Sequence, residues 1–117
     1  MWIAASALLG ALAIMAGAFG AHGLRGRVSP EQLQSWAMAA DYHLLHSVAL
    51  LGLALFASQS GRSVTLPAGL LSAGVVLFSG SIYLLVLTEQ RWLGPVTPLG
   101  GLLLIAGWLS LLTLARD

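Results

Sequence analysis

The chain has 117 residues, 58% of them hydrophobic and 8% charged, with a formal net charge of +1. A soluble domain carries roughly 25% charged residues, so a chain this short would leave too much apolar surface facing water, and lipid is the simplest cover. The five basic residues are all Arg and lie scattered, which excludes a nucleic-acid-binding stripe, and the lack of cysteine excludes disulfides, thiolate catalysis, iron–sulfur clusters and zinc ribbons.

A helix needs about 20 apolar residues, at ~1.5 Å each, to cross a hydrocarbon core of ~30 Å. Trp2 to Ala21 has that length and no charge. Small residues near Ala16 to Ala21 would suit a signal-peptide cleavage site. No Lys or Arg precedes the run, however, and it is long for a signal segment, so it reads as a retained span. Ser29, Pro30 and Gln32 then form a capping-box pattern with Pro at the first helical position. No breaker follows in PEQLQSWAMAADYHLLH, which predicts one helix from Pro30 to about Ser58 with its first turns, about 30–41, at the membrane interface. A surface helix with a bend near Asp41 is the alternative. Pro67 and Pro98 open the third and fourth runs. The spans are thus expected at about 2–22, 37–58, 66–87 and 98–115. The reading is all-α: an integral membrane four-helix bundle forming one domain over residues 1–117.

Four spans put both termini on one face, called face A, with Arg62, Arg116 and Trp2. Face B receives Arg25, Arg27 and Arg91, with Trp36 and Trp92 as interface anchors. The Arg bias leans toward a cytoplasmic face B. The expected location is a bacterial cytoplasmic membrane.

Close backbone approach is what joins helices in lipid. In the first span Ser6, Gly10, Ala13, Gly17 and Gly20 share a small face opposite Leu8, Leu12, Met15 and Phe19. In the third, Ser72, Ala73, Val76, Ser79, Gly80 and Tyr83 lie together, and in the fourth Thr97, Gly100, Gly101, Leu104, Gly107 and Trp108. These seams predict a tight bundle with little room for an open pore.

Alternating span direction brings His22, His43, His46, Tyr83, Ser79, Thr97 and Glu89 toward the face B half. His22, His46 and Tyr83 are expected to cluster, with His43 at the edge. One reading is a hydrogen-bonded network joining helices; the other is a binding or proton-handling site. HxxH lacks the Glu of the HExxH metalloprotease motif, and FSGS lacks the flanks of a nucleophile elbow. No catalytic residue, metal ligand or cofactor is assigned.

GAFGAHGL from Gly17 to Leu24, YHLLHSVAL from Tyr42 to Leu50, FSGSIYLL from Phe78 to Leu85, GPVTPLGG from Gly94 to Gly101, and Gly107 with Trp108 occur in that order. Together they closely resemble the domain-of-unknown-function 423 family of small membrane proteins, which includes the transmembrane protein 256-like proteins. The resemblance covers nearly the whole chain and implies four spans without an established activity. The family pattern fits His22 and His46 and is looser at His43. The expected function is that of a non-enzymatic membrane component whose polar cluster binds a lipid headgroup, a small molecule or a partner helix. A small transporter or proton-coupled carrier, or a metal- or haem-binding protein, is the alternative. The expected partners are membrane lipid and a second copy of the chain or another membrane protein.

Overall fold

A computed structural model describes residues 1–115; Arg116, assigned above to face A, lies outside the described residues. Four helices are long and apolar enough to cross a membrane. They are α1 (Trp2–His22), α2 (Pro30–Ser60), α3 (Thr65–Thr88) and α4 (Val96–Ser110), the last preceded by a 3-10 turn at Arg91–Leu93 and followed by another at Leu111–Leu114. Among the described residues there is no strand.

Local chemistry sets the ends. The capping box closes as the sequence predicts: Gln32 N–H donates to Ser29 Oγ at 3.1 Å and Ser29 N–H to Gln32 Oε1 at 2.9 Å. α2 then runs unbroken through Asp41 and stops at Gly61, whose φ of 71° suits a residue without Cβ. α4 begins at Val96, two residues before Pro98, because first-turn N–H groups have no helical partner and Pro loses nothing there. Its far end is tied down by Arg62, which donates to the Leu114 carbonyl at 2.9 Å and the Thr113 carbonyl at 3.2 Å. α3 ends on Glu89, held at φ 58°. A side chain there is strained, so Glu89→Gly should stabilise the protein by about 0.5–1 kcal/mol, read as a higher unfolding midpoint in detergent.

The helices pack in chain order, with extensive interfaces between α1 and α2, α2 and α3, and α3 and α4. The bundle is accordingly flattened, measuring 52 × 26 × 18 Å, and the inner α2 and α3 are far more buried than α1 and α4. Leu8, Leu12, Met15 and Phe19 of α1 face outward, while Ser6, Ala13 and Gly20 are buried.

The glycines divide into tight and loose contacts. A Cβ on Gly100 would lie 2.7 Å from Phe78 Cα, and one on Gly107 2.7 Å from Leu71 Cδ2, so these two let α4 touch α3. Gly20 receives the Trp36 ring, where a Cβ would come within 2.8 Å of Nε1. Gly10, Gly17 and Gly101 sit at ordinary contact distance from Ser47, Ala40 and Phe78. Gly80 differs from expectation: a Cβ there would meet nothing within 4 Å, and Ala73 and Val76 of the same expected seam are exposed. The small residue that α3 offers α4 is Gly74, where a Cβ would lie 2.9 Å from Leu104 N. α3 has small residues around much of its circumference, so spacing alone did not mark the contact face.

Two apolar clusters result. Toward face A, Leu50, Leu53, Val64, Ala68, Leu71, Val75 and Leu104 pack together. Toward face B, Leu24, Trp36, Ala39, Ile82 and Val86 do. Trp36, read as an interface anchor, is instead 4% exposed and part of this core.

Candidate functional site: a polar layer between two apolar clusters

α2 supplies the layer, because its unbroken course places His43, His46 and Ser47, all buried, between the levels of the two clusters. The packing of α1 on α2 fixes their depth. Gly17 faces Ala40 and Gly10 faces Ser47, so His43 and His46 stand on either side of the middle of α1. The histidines therefore stand beside the middle of α1 and not at its face B end. The reason is the length of α2, 31 residues, whose first turns run beside the end of α1 before the imidazoles begin.

His43 Nδ1 lies 3.0 Å from Tyr83 Oη, which joins α2 to α3. Its Nε2 is buried without a hydrogen bond of good geometry, the Leu9 backbone of α1 lying near the ring. His43 is thus a central member, not an edge one. His46 is bonded at both ring nitrogens. The Trp108 indole N–H of α4 can only donate, and it does so to His46 Nε2 at 3.0 Å. Nε2 must then be unprotonated, so Nδ1 carries the hydrogen and donates to the Tyr42 carbonyl at 2.7 Å. The geometry selects one neutral tautomer of His46.

Hydroxyl and indole groups continue the bonding. Ser79 Oγ donates to the Ala39 carbonyl at 2.7 Å, from α3 to α2. Trp36 Nε1 donates to the Ala16 carbonyl at 2.6 Å, from α2 to α1, one turn from the Gly20 that admits the ring. Trp36 also packs on Tyr83, with ring centroids 4.6 Å apart. Each bond satisfies a polar group where lipid offers no partner.

Three expected members stand elsewhere. His22 is exposed. Gly20 beside it is level with Trp36, about 10 Å along α2 from His43 at ~1.5 Å per residue, so His22 does not join His46 and Tyr83. Glu89 is exposed at the end of α3. Thr97 bonds Ser81, which ties α4 to α3 apart from the histidines. These residues are near one another in the scheme of alternating spans, but helix offsets of several residues separate them in depth. Among the described residues, no group of three or more His, Cys, Asp or Glu is placed to hold a metal ion.

Two residues that the sequence reading left out matter here. Trp108 was placed on the packing face of its helix but not among the polar groups, although an indole is an obligate donor. Asp41 was read as the last of the interfacial turns of α2 and not among the polar groups; it lies within α2 as expected, level with Ala16 of α1, as the facing of Gly17 and Ala40 requires. A charge inside an unbroken helical pattern was the available signal.

The protein-family model described as "Protein of unknown function (DUF423)" matches residues 16–101. The chain belongs to the DUF423 family. It is also similar to curated proteins. One is the UPF0382 membrane protein YwdK of Bacillus subtilis, 42% identical over 98% of this chain and 95% of the relative. Another is a UPF0382 membrane protein of Staphylococcus aureus, 41% identical over 96% of this chain and 92% of the relative. A third, of Staphylococcus haemolyticus, is 45% identical over 90% of this chain and 89% of the relative. No solved structure matches. Family, relatives and helices agree on a multi-pass membrane protein of the DUF423 family, whose matched segment contains His22, His43, His46 and Tyr83.

Proposed function

We propose that the protein is a non-enzymatic binding component of a bacterial cytoplasmic membrane, with its polar layer acting as a helix clamp and its ligand taken beside that layer. The observation that carries the reading is the closed bonding of His46: both ring nitrogens are used, one by Trp108 of α4 and one by the Tyr42 carbonyl. A group so bonded has no free position for a headgroup or a metal. Its depth also removes it from the headgroups. Lipid-facing grooves flank the layer, among them one of about 690 Å³ bordered by Tyr42, His46, Phe78, Leu104 and Trp108. Such grooves suit molecules dissolved in the membrane.

The clamp has a direct test. His46→Gln keeps an amide that can replace both bonds, and should retain most of the stability. His46→Leu strands the Trp108 donor and should cost about 1–3 kcal/mol in detergent unfolding. Equal losses for both variants would reject the clamp. Mass spectrometry of lipids and metabolites co-purifying with the protein tests the ligand half of the reading. Recovery of none above the level of an unrelated four-span protein would reject it.

A second reading, proton handling, is favoured by one observation: buried His43 lies beside Tyr83, with the Leu9 backbone of α1 near its ring and no hydrogen bond of good geometry at Nε2. It predicts protein-dependent proton movement in liposomes that His43→Gln abolishes while the fold survives.

A further inference from the structure

The groove between α1 and the first half of α2 differs from the one at His46. It holds about 450 Å³ and opens on the face B side, with Gly17, Gly20 and Ala40 as its floor and Leu33 and Trp36 as apolar wall. Its polar lining consists of Arg25 and Asp41.

The depth of Asp41 is the telling feature. Asp41 is level with Ala16, six residues before the end of α1 at His22, which is about 9 Å inside the span at ~1.5 Å per residue. It is exposed, and among the described residues it makes no hydrogen bond or ion pair. A carboxylate in hydrocarbon is costly unless it is neutralised by a proton or a counter-cation. Among the described residues there is no counter-cation at that level. It contains no Lys, and the one basic residue of the groove, Arg25, follows the end of α1 and forms no ion pair with Asp41. The long side chain of Arg25 can reach outward to the phosphate zone, as Arg near span ends does.

A phospholipid in its leaflet does not match this arrangement. Its headgroup stays at the level of Arg25 and only its tails reach the level of Asp41. The matching ligand has an apolar body and a positive charge that is carried below the headgroups.

We propose that this groove is a binding site for amphiphilic cations of the alkylammonium class, with the ammonium against Asp41 and the chain along the Gly17–Gly20 floor. The proposal deepens the binding role given above but does not depend on the clamp, whose test is the stability of the His46 variants.

The test uses the full chain in phosphatidylcholine nanodiscs, titrated with dodecyltrimethylammonium against empty discs. One saturable site is expected. Asp41→Asn should weaken it at least about tenfold, Asp41→Glu should keep it within about tenfold, and the uncharged dodecyldimethylphosphine oxide should bind at least about tenfold more weakly, tenfold being about 1.4 kcal/mol. Equal binding by Asp41→Asn, equal binding of the phosphine oxide, or saturation only by a phosphate-bearing lipid would overturn the proposal. A diazirine-bearing alkylammonium serves as a second measurement on the unaltered protein, should Asp41→Asn fail to fold. Labelling within residues 17–25 and 33–41 supports the site, and labelling only elsewhere overturns it.

Discussion

Replacing Gly100 with valine is expected to separate α4 from α3 and to cost more than about 3 kcal/mol, one of the largest effects of any single change in this protein. The first added carbon would lie 2.7 Å from Phe78 Cα and 2.9 Å from Leu77 C. Both are backbone atoms, so no rotamer change relieves the overlap and the helices must move apart. That movement also strains the Gly74–Leu104 and Gly107–Leu71 contacts, because all three lie along one seam. Gly101→Ala is the control. Its Cβ would lie 3.8 Å from Phe78 Cδ1, an ordinary contact, and its effect should be below about 1 kcal/mol. Unfolding in mixed detergent, followed by circular dichroism, compares the two. Equal losses would show that α3 and α4 are not held by this approach.

Trp36→Ala is expected to cost about 3–5 kcal/mol, the range for a large aromatic side chain removed from a core. The ring is 4% exposed and packs against Phe19, Gly20 and Tyr83, and its N–H satisfies the Ala16 carbonyl. Trp36→Phe separates packing from bonding: it keeps an aromatic ring and should lose the smaller part, about 1 kcal/mol for the hydrogen bond plus the lost ring area. The same unfolding measurement decides. A loss below about 1 kcal/mol for Trp36→Ala would show that the ring is not held in this core and is free to act as an interface anchor.

Why Trp36 was misplaced illustrates what pattern reading captures. Trp near the start of an apolar run is usually an interface residue. Here the helix starts six residues earlier, at Pro30, and the end of α1 extends alongside it. The burial of Trp36 depends on how α2 is set against α1 and α3, and no single-helix pattern contains that arrangement. The same arrangement set His43 and His46 beside the middle of α1 and left His22 at its end. It also set Asp41, expected among the interfacial turns of the same helix, level with Ala16, six residues before the end of α1.

Composition and the length of the apolar runs determined that the chain is a four-span helical membrane protein, because spanning lipid fixes helix length and apolarity almost independently of neighbours. The capping box, the small face of α1 and the seam of Gly100 and Gly107 on α4 were likewise legible, since each is a local pattern at helical spacing. Only the tertiary structure decided which polar groups meet. Hydrogen bonds act over about 3 Å, so a slide of one helix turn, about 5.4 Å, exchanges one partner for another. That is why His46 bonds Trp108 and His43 faces Tyr83, while His22 and Glu89, of equally suitable chemistry, remain outside the layer.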